Sequence, residues 1–369
     1  MKIQRLFIYP IKSILPVEVT LADITSEGFR FDRQYVVVKA PTVVSSAPVE
    51  HLTIKTTFKL GLFQPSINDD WSELTIQCKL AKSDASITLP LTPSPLACLK
   101  AESRTVSIFG TAAQGVDMGD GPAEFFSKHL GIAARLLFIS GNGRREIPGI
   151  AYIPKQLTSL TVHAGHNFQP QRIRFADAAP FLVTSTASEE EVRSRLPEDA
   201  REEDIILRLR PNIHIDVGDE IVPFDEDDWR ELVVTPASGD KQQATIRCVF
   251  TCPRCLSLNV DLSTGTRAPR ERQLYGLLAK DRRVNSAFPH KPVFGQYAFA
   301  APNGATIRVG DWVTVTERAV DVLPATRGRR SVMDGRIALH KRKRMLRLGR
   351  GNSEAHPLRP ASPAQGERL

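Results

Sequence analysis

Three of the five cysteines fall within eight residues, in the run Arg247-Cys248-Val249-Phe250-Thr251-Cys252-Pro253-Arg254-Cys255. Thiolates are soft metal ligands, and short spacing lets one loop present several of them. Four chemistries fit the run. The C-x3-C-x2-C spacing suits an iron–sulfur cluster, although the run lies late in a strand-rich chain and Arg254 precedes its last cysteine. Structural zinc needs four ligands; His214 or His290 could supply a fourth, but no second Cys-x-x-Cys exists. The cysteines could instead be buried small hydrophobes, which suits Cys248 in a strand-like stretch. Or Cys255 alone acts, as one thiolate ligand to a metal held by another molecule. Arg254 beside it would favour the thiolate and pair with an anionic cofactor.

The elements that must carry this loop are mostly strands. Short apolar-rich runs at Lys2–Tyr9, Val17–Ile24, Gln34–Val38, Thr53–Ile54, Leu74–Cys78, Ile87–Leu91, Thr105–Ile108 and Ala134–Phe138 are separated by turn residues. That pattern predicts a mainly β fold, a barrel or sandwich with a few helices. One helix is expected over Ala123–Leu130, with Pro122 near its start. The clearest runs over Ser188–Leu196, with Ser188 as N-cap, Glu191 completing a capping box and Pro197 as the stop. The expected organisation is a β domain over 1–100, a connector with one helix over 101–179, a second β domain over 180–318 and a basic, disordered tail over 319–369.

Composition removes several classes. The 369 residues are 41% hydrophobic and 24% charged, as in ordinary globular proteins. The net charge of +8 suggests a nucleic-acid partner until its distribution is read. Residues 324–369 hold twelve Lys and Arg against three Asp and Glu, so the rest of the chain is nearly neutral. The basic balance belongs to the tail, and no nucleic-acid partner is expected. No stretch approaches the roughly 18–20 apolar residues that span a bilayer. The N-terminus reads as a first strand and lacks a signal peptide's apolar region. The odd cysteine count fits a reducing, cytoplasmic setting.

Six segments, in order, carry a family resemblance. They are Tyr9-Pro10-Ile11-Lys12-Ser13; Gly28 with Asp32-Arg33; Pro180–Ser185 with Ala187-Ser188; Arg210-Pro211-Asn212-Ile213; Cys252–Gly265 (C-P-R-C-L-S-L-N-V-D-L-S-T-G); and Phe294-Gly295-Gln296-Tyr297 with Val309-Gly310-Asp311. Together they resemble the MOSC family, named for the C-terminal domain of molybdenum cofactor sulfurase, in its amidoxime-reducing and YcbX-like branch. The resemblance implies an N-terminal MOSC β-barrel-like domain followed by a MOSC β-barrel domain. Without a gap before Val260-Asp261, the family's metal-binding cysteine falls on Cys255; choosing Cys248, after Arg247, would require an insertion.

The resemblance further implies a molybdenum cofactor. Lys12, Ser13 and Arg33 would contact its pterin phosphate or dithiolene region. Ser185, Arg210, Asn212 and Arg254 would complete the pocket, and Cys255 would ligate molybdenum. These types suit a polyanionic pterin, since Lys and Arg neutralise it while Asn and Ser supply oriented hydrogen bonds. The implied activity is reduction of N-hydroxylated compounds such as amidoximes and hydroxylamines. No cysteine follows Cys255, so no cysteine-ligated ferredoxin module is expected. Electrons would come from a separate protein, a b-type cytochrome with its flavin reductase. A sulfur carrier holding a persulfide on the cysteine is the alternative. The family's link to pyridoxal phosphate runs through a domain expected to be missing here, and its mitochondrial members raise a mitochondrial association. Pro253 departs from the small polar residue common in relatives, and Pro41–Pro48 reads as an added loop.

Overall fold

The computed structural model describes residues 1–41, 47–79, 85–139, 141, 143–147, 171–239, 242–301 and 304–319. They belong to a compact unit spanning Met1–Val320. The basic tail, most of the added loop and most of the connector's second half lie outside the described residues.

A closed barrel of seven strands organises the molecule. The opening strand Lys2–Ile8 pairs antiparallel with Ile213–Asp216 on one side and meets Trp312–Arg318 on the other. Trp312–Arg318 continues to Trp229–Thr235, then Ala244–Pro253, then Val293–Ala300 and Phe181–Ser185. Phe181–Ser185 runs parallel to Ile213–Asp216 and closes the ring. Alternation explains the interior: Val183, Ile213, Ile215, Leu232, Val234, Ile246 and Ala298 are buried in one apolar core. The cysteine-bearing strand lies in the barrel wall, and Cys248 packs in that core.

Smaller sheets make up the rest. Tyr35–Lys39, Ala134–Ile139, Thr111–Asp117 and Ser103–Ile108 form a four-stranded antiparallel sheet. Phe63–Ile67, Glu73–Cys78 and Ser86–Pro90 form a meander. The expected strand Val17–Ile24 is split into Val17–Val19 and Leu21–Thr25. Thr53–Ile54 is not a strand: the Thr53 carbonyl accepts from the amides of Thr56 and Thr57, which curls this segment into a turn.

The helix beside the four-stranded sheet runs Asp120–Leu130, with Phe126 and Leu130 buried. Gly131 ends it in the left-handed region at φ 75°. The later helix spans Thr186–Ser194, so it starts and stops before its expected limits. Its N-cap is Ser185, whose Oγ accepts from the Ser188 amide, rather than Ser188. Ser188 instead donates its hydroxyl to Glu226 at 2.6 Å, a tertiary partner that outcompetes a local capping box.

Candidate functional site

The opening strand delivers Tyr9 into a tight turn through Pro10, Ile11, Lys12 and Ser13. The Asp32–Arg33 turn meets it: the Tyr9 amide donates to Asp32 Oδ1 at 2.8 Å, and the Arg33 amide donates to the Tyr9 carbonyl. Asn212, at the head of the strand Ile213–Asp216, ties both to the barrel. Its Nδ2 donates to Asp32 Oδ1 and to the Phe7 carbonyl, each at 3.2 Å. Its Oδ1 accepts from Arg33 Nη1 at 3.0 Å and from the Leu182 amide at 3.3 Å. Arg33 also donates to Asp32 Oδ2 at 2.6 Å. One buried amide and one buried carboxylate thus fix the guanidinium of Arg33.

Two guanidiniums lie over Tyr9. Arg33 is 4.3 Å and Arg210 4.6 Å from its ring centroid. Such contacts strengthen when desolvated, and Tyr9 is fully buried, its hydroxyl donating to the Pro211 carbonyl. Burial pushes the Tyr9 phenol up to about 12, with the two cations opposing it. Arg210 ends the short helix Ile206–Leu209 in a left-handed conformation, φ 61°, and donates to the Ile14 carbonyl at 2.8 Å.

Lys12 is buried and ion-paired to Asp177. Burial works to raise the Asp177 carboxyl, and the Lys12 ammonium overrides it, leaving that group below its ordinary value. Arg254, buried just after the cysteine-bearing strand, donates from Nη1 to Cys252 Sγ at 3.3 Å and from Nη2 to the Leu209 carbonyl at 2.6 Å. Among the described residues its buried Nε has no hydrogen-bond partner. Buried donors are nearly always satisfied, so a bare one points toward a ligand or water.

The three clustered cysteines separate by environment. Cys248 and Cys252 are buried, whereas Cys255 is exposed, 3.1 Å from Ser257 Oγ. Burial pushes the Cys248 thiol up to about 12 and raises Cys252 as well. Among the described residues no group of three His, Cys, Asp or Glu is arranged to hold a metal ion. The run therefore does not gather as an iron–sulfur or zinc ligand set. Cys248 matches the buried small hydrophobe, and Cys255 is the accessible thiol.

Charge interactions join Arg210 to Arg33, Asp177 and Arg254, and Lys12 to Arg33. Lys12, Arg33, Arg210, Asn212 and Arg254 thus belong to one neighbourhood assembled from segments 200 residues apart. Ser13, Arg33 and Arg210 are three of seven described non-glycine residues with positive φ. Left-handed backbone costs on the order of 1 kcal/mol per residue and collects at functional sites. Ser185 is engaged elsewhere: it is fully buried, donates to Glu226 Oε2 at 2.9 Å and lies 2.9 Å from Ser188 Oγ. Sequence reasoning does not single out Tyr9, Asp32 or Asp177 as site residues, and it offers Cys252 only as a member of an iron–sulfur or zinc cluster, not as the partner of Arg254. Tyr9 and Asp32 stand in quoted motifs and could have been found; Asp177 carries no local signal.

A barrel strand that ends just before an exposed cysteine, beside a largely buried cluster of cations oriented by the Asn212 amide, defines the class. The chain belongs to the MOSC family: the MOSC N-terminal beta barrel domain matches residues 1–133 and the MOSC domain matches residues 170–314. Over 319 residues it is 30% identical to mitochondrial amidoxime-reducing component 1 of Mus musculus, covering 84% of this chain and 80% of that protein. It is 29% identical to the Homo sapiens protein of the same name, covering 84% and 81%. It is also 29% identical to molybdenum cofactor sulfurase of Danio rerio, over 71% of this chain but 28% of that longer protein. Among the described residues, no helix is long and apolar enough to cross a membrane.

Proposed function

We propose that this protein is a molybdenum-cofactor-dependent reductase of N-hydroxylated compounds, with Cys255 as the protein's ligand to the metal. The observation that carries this reading is the basic cluster of buried Lys12 and Arg254 with half-buried Arg33 and Arg210, beside an exposed thiol. These residues fit an anionic pterin with a metal at its edge. When bound, the cofactor would supply two-electron redox chemistry at a metal with a position free for substrate.

The chain's own residues supply the rest. Arg33, held by Asp32 and Asn212, would meet the cofactor without first ordering a long side chain. Lys12 and Arg210 would neutralise its phosphate, and Arg254 would hold the anionic side nearest the cysteine. Two carboxylate partners, the buried Asp32 and the half-exposed Asp177, offset the mutual repulsion of these cations while the site waits. Ser13 and Ser185 are proposed as lesser contacts, with Ser185 acting through its cap and its bond to Glu226. Exposure of Cys255 leaves a small N-oxygenated substrate room to approach. Electrons would come from a separate protein, by resemblance a b-type cytochrome served by a flavin reductase. The word mitochondrial in the names of the amidoxime-reducing relatives supports a mitochondrial association.

The test is expression of the full chain with cofactor supply, followed by metal analysis and an amidoxime reduction assay driven by reduced methyl viologen. The reading requires stoichiometric molybdenum and turnover. Sulfurase relatives and the exposed thiol support one second reading, a persulfide carrier. A cyanolysable sulfur on Cys255 with no turnover would favour it.

A further inference from the structure

The loop joining Arg282 to Pro292 flanks the exposed thiol, and its attachment is explicit. Asn285 Nδ2 donates to Thr251 Oγ1 at 2.7 Å, and the Arg254 amide donates to the Pro292 carbonyl at 2.8 Å. The loop reads R-R-V-N-S-A-F-P-H-K-P and contains no acidic residue. Arg283, His290 and Lys291 are exposed. Nearby arginines are committed, Arg195 to Asp281, Arg272 to Asp199 and Arg282 to Asp227. Arg283 and Lys291 have no ion-pair partner among the described residues. Two large hydrophobics are exposed in the same neighbourhood, Leu256 at 46% directly after Cys255 and Val284 at 52% beside Arg283.

Exposed apolar residues among unpaired like charges form the arrangement by which protein surfaces recognise an oppositely charged partner. A structural use of these cations would give them carboxylate partners within the fold. Their location also selects the partner. They stand beside the thiol, where an electron donor must approach, rather than on a remote face suited to a membrane.

We propose that Leu256, Arg283, Val284, His290 and Lys291 form the docking surface for a protein electron donor that exposes its redox group within an acidic face. This rests on the reductase reading of the site. The surface steers the donor through charge, so association is fast at low salt and weakens as salt rises.

The experiment uses the full chain and measures binding to an acidic b-type cytochrome by interferometry at 20 and 200 mM NaCl. R283E/K291E should weaken binding at low salt by tenfold or more and flatten its salt dependence. K128E, reversing an exposed charge on the helix Asp120–Leu130, should leave both unchanged. Equal binding by the rim variant, the K128E control and the parent overturns the proposal. So does rim-dependent binding to phosphatidylserine vesicles with none to the cytochrome. Methyl viologen-driven amidoxime reduction is read in parallel and should be equal in all three proteins. If no protein reduces amidoxime yet rim-dependent cytochrome binding persists, the reductase reading fails and the docking surface stands.

Discussion

Asn212 and Asp32 are 180 residues apart in sequence and share a hydrogen bond of 3.2 Å, buried between the barrel and the turn that carries Arg33. The same amide accepts from Arg33, so a single side chain sets both the position of a charge and its neutraliser. N212A would remove the side-chain partner of the Phe7 carbonyl and of the Leu182 amide, and leave Asp32 Oδ1 with the Tyr9 amide alone. Buried groups left unpaired cost about 1–3 kcal/mol each, less what water recovers. The expected loss is about 2–4 kcal/mol in denaturant unfolding, together with reduced molybdenum content. Unchanged stability would show that the network is dispensable.

Replacing the cysteines one at a time separates ligand from core. C255S should abolish molybdenum retention and turnover while leaving thermal stability nearly unchanged, because the side chain is exposed. C248S should do the reverse, retaining the metal but losing about 1–2 kcal/mol by burying a hydroxyl among apolar neighbours. Metal analysis and melting curves on the same preparations decide it, and equal metal loss in both would refute the assignment.

Gly295 is set by close backbone approach. A Cβ there would lie 2.7 Å from the Val183 carbonyl oxygen, and φ is +74°. Neither the strand partner nor the backbone angle can yield without disturbing the barrel wall. G295A is expected to cost about 2–4 kcal/mol, read from denaturation midpoints. A loss below about 1 kcal/mol would mean that the strands shift apart easily.

Glu226 makes stability depend on pH. Burial first, then the neighbouring Asp227, raises its carboxyl from 4.5 to about 7, against the hydroxyls of Ser188 and Ser185. Its buried Oε1 has no hydrogen-bond partner among the described residues, and Cys248 feels its charge. The folded state therefore holds this proton more tightly than the unfolded chain. Between pH 4.5 and about 7 the folded protein binds more protons, so its stability falls as pH rises. The total is on the order of 3 kcal/mol. E226Q should flatten the stability profile across that window; an identical slope in the variant would contradict the assignment.

The contrast between local and distant signals explains what the chain's letters reveal. Strands such as Glu73–Cys78 and Ala134–Ile139 follow from short apolar runs between turn residues. Lys12, Arg33, Arg210 and Arg254 are recognisable because each sits in a short motif whose order is kept. The Lys12–Asp177 pair is not readable, since nothing near Asp177 marks its partner 165 residues away. The same limit moves the helix start to Ser185: a capping box is visible locally, but the carboxylate of Glu226 that claims Ser188 is not. Closure of the barrel by Lys2–Ile8 likewise depends on pairings that no window of sequence contains.

That closure constrains assembly and dissection. The opening strand is synthesised long before Ile213–Asp216 and Trp312–Arg318 exist to receive it. Such sequence-distant pairing is slow to form and leaves strand edges exposed meanwhile. A truncation beginning near residue 170 would keep the whole matched MOSC segment yet strip one stave from the barrel. Its two orphaned edges would then be templates for aggregation, so the boundary that sequence similarity draws is not one at which this molecule can be cut.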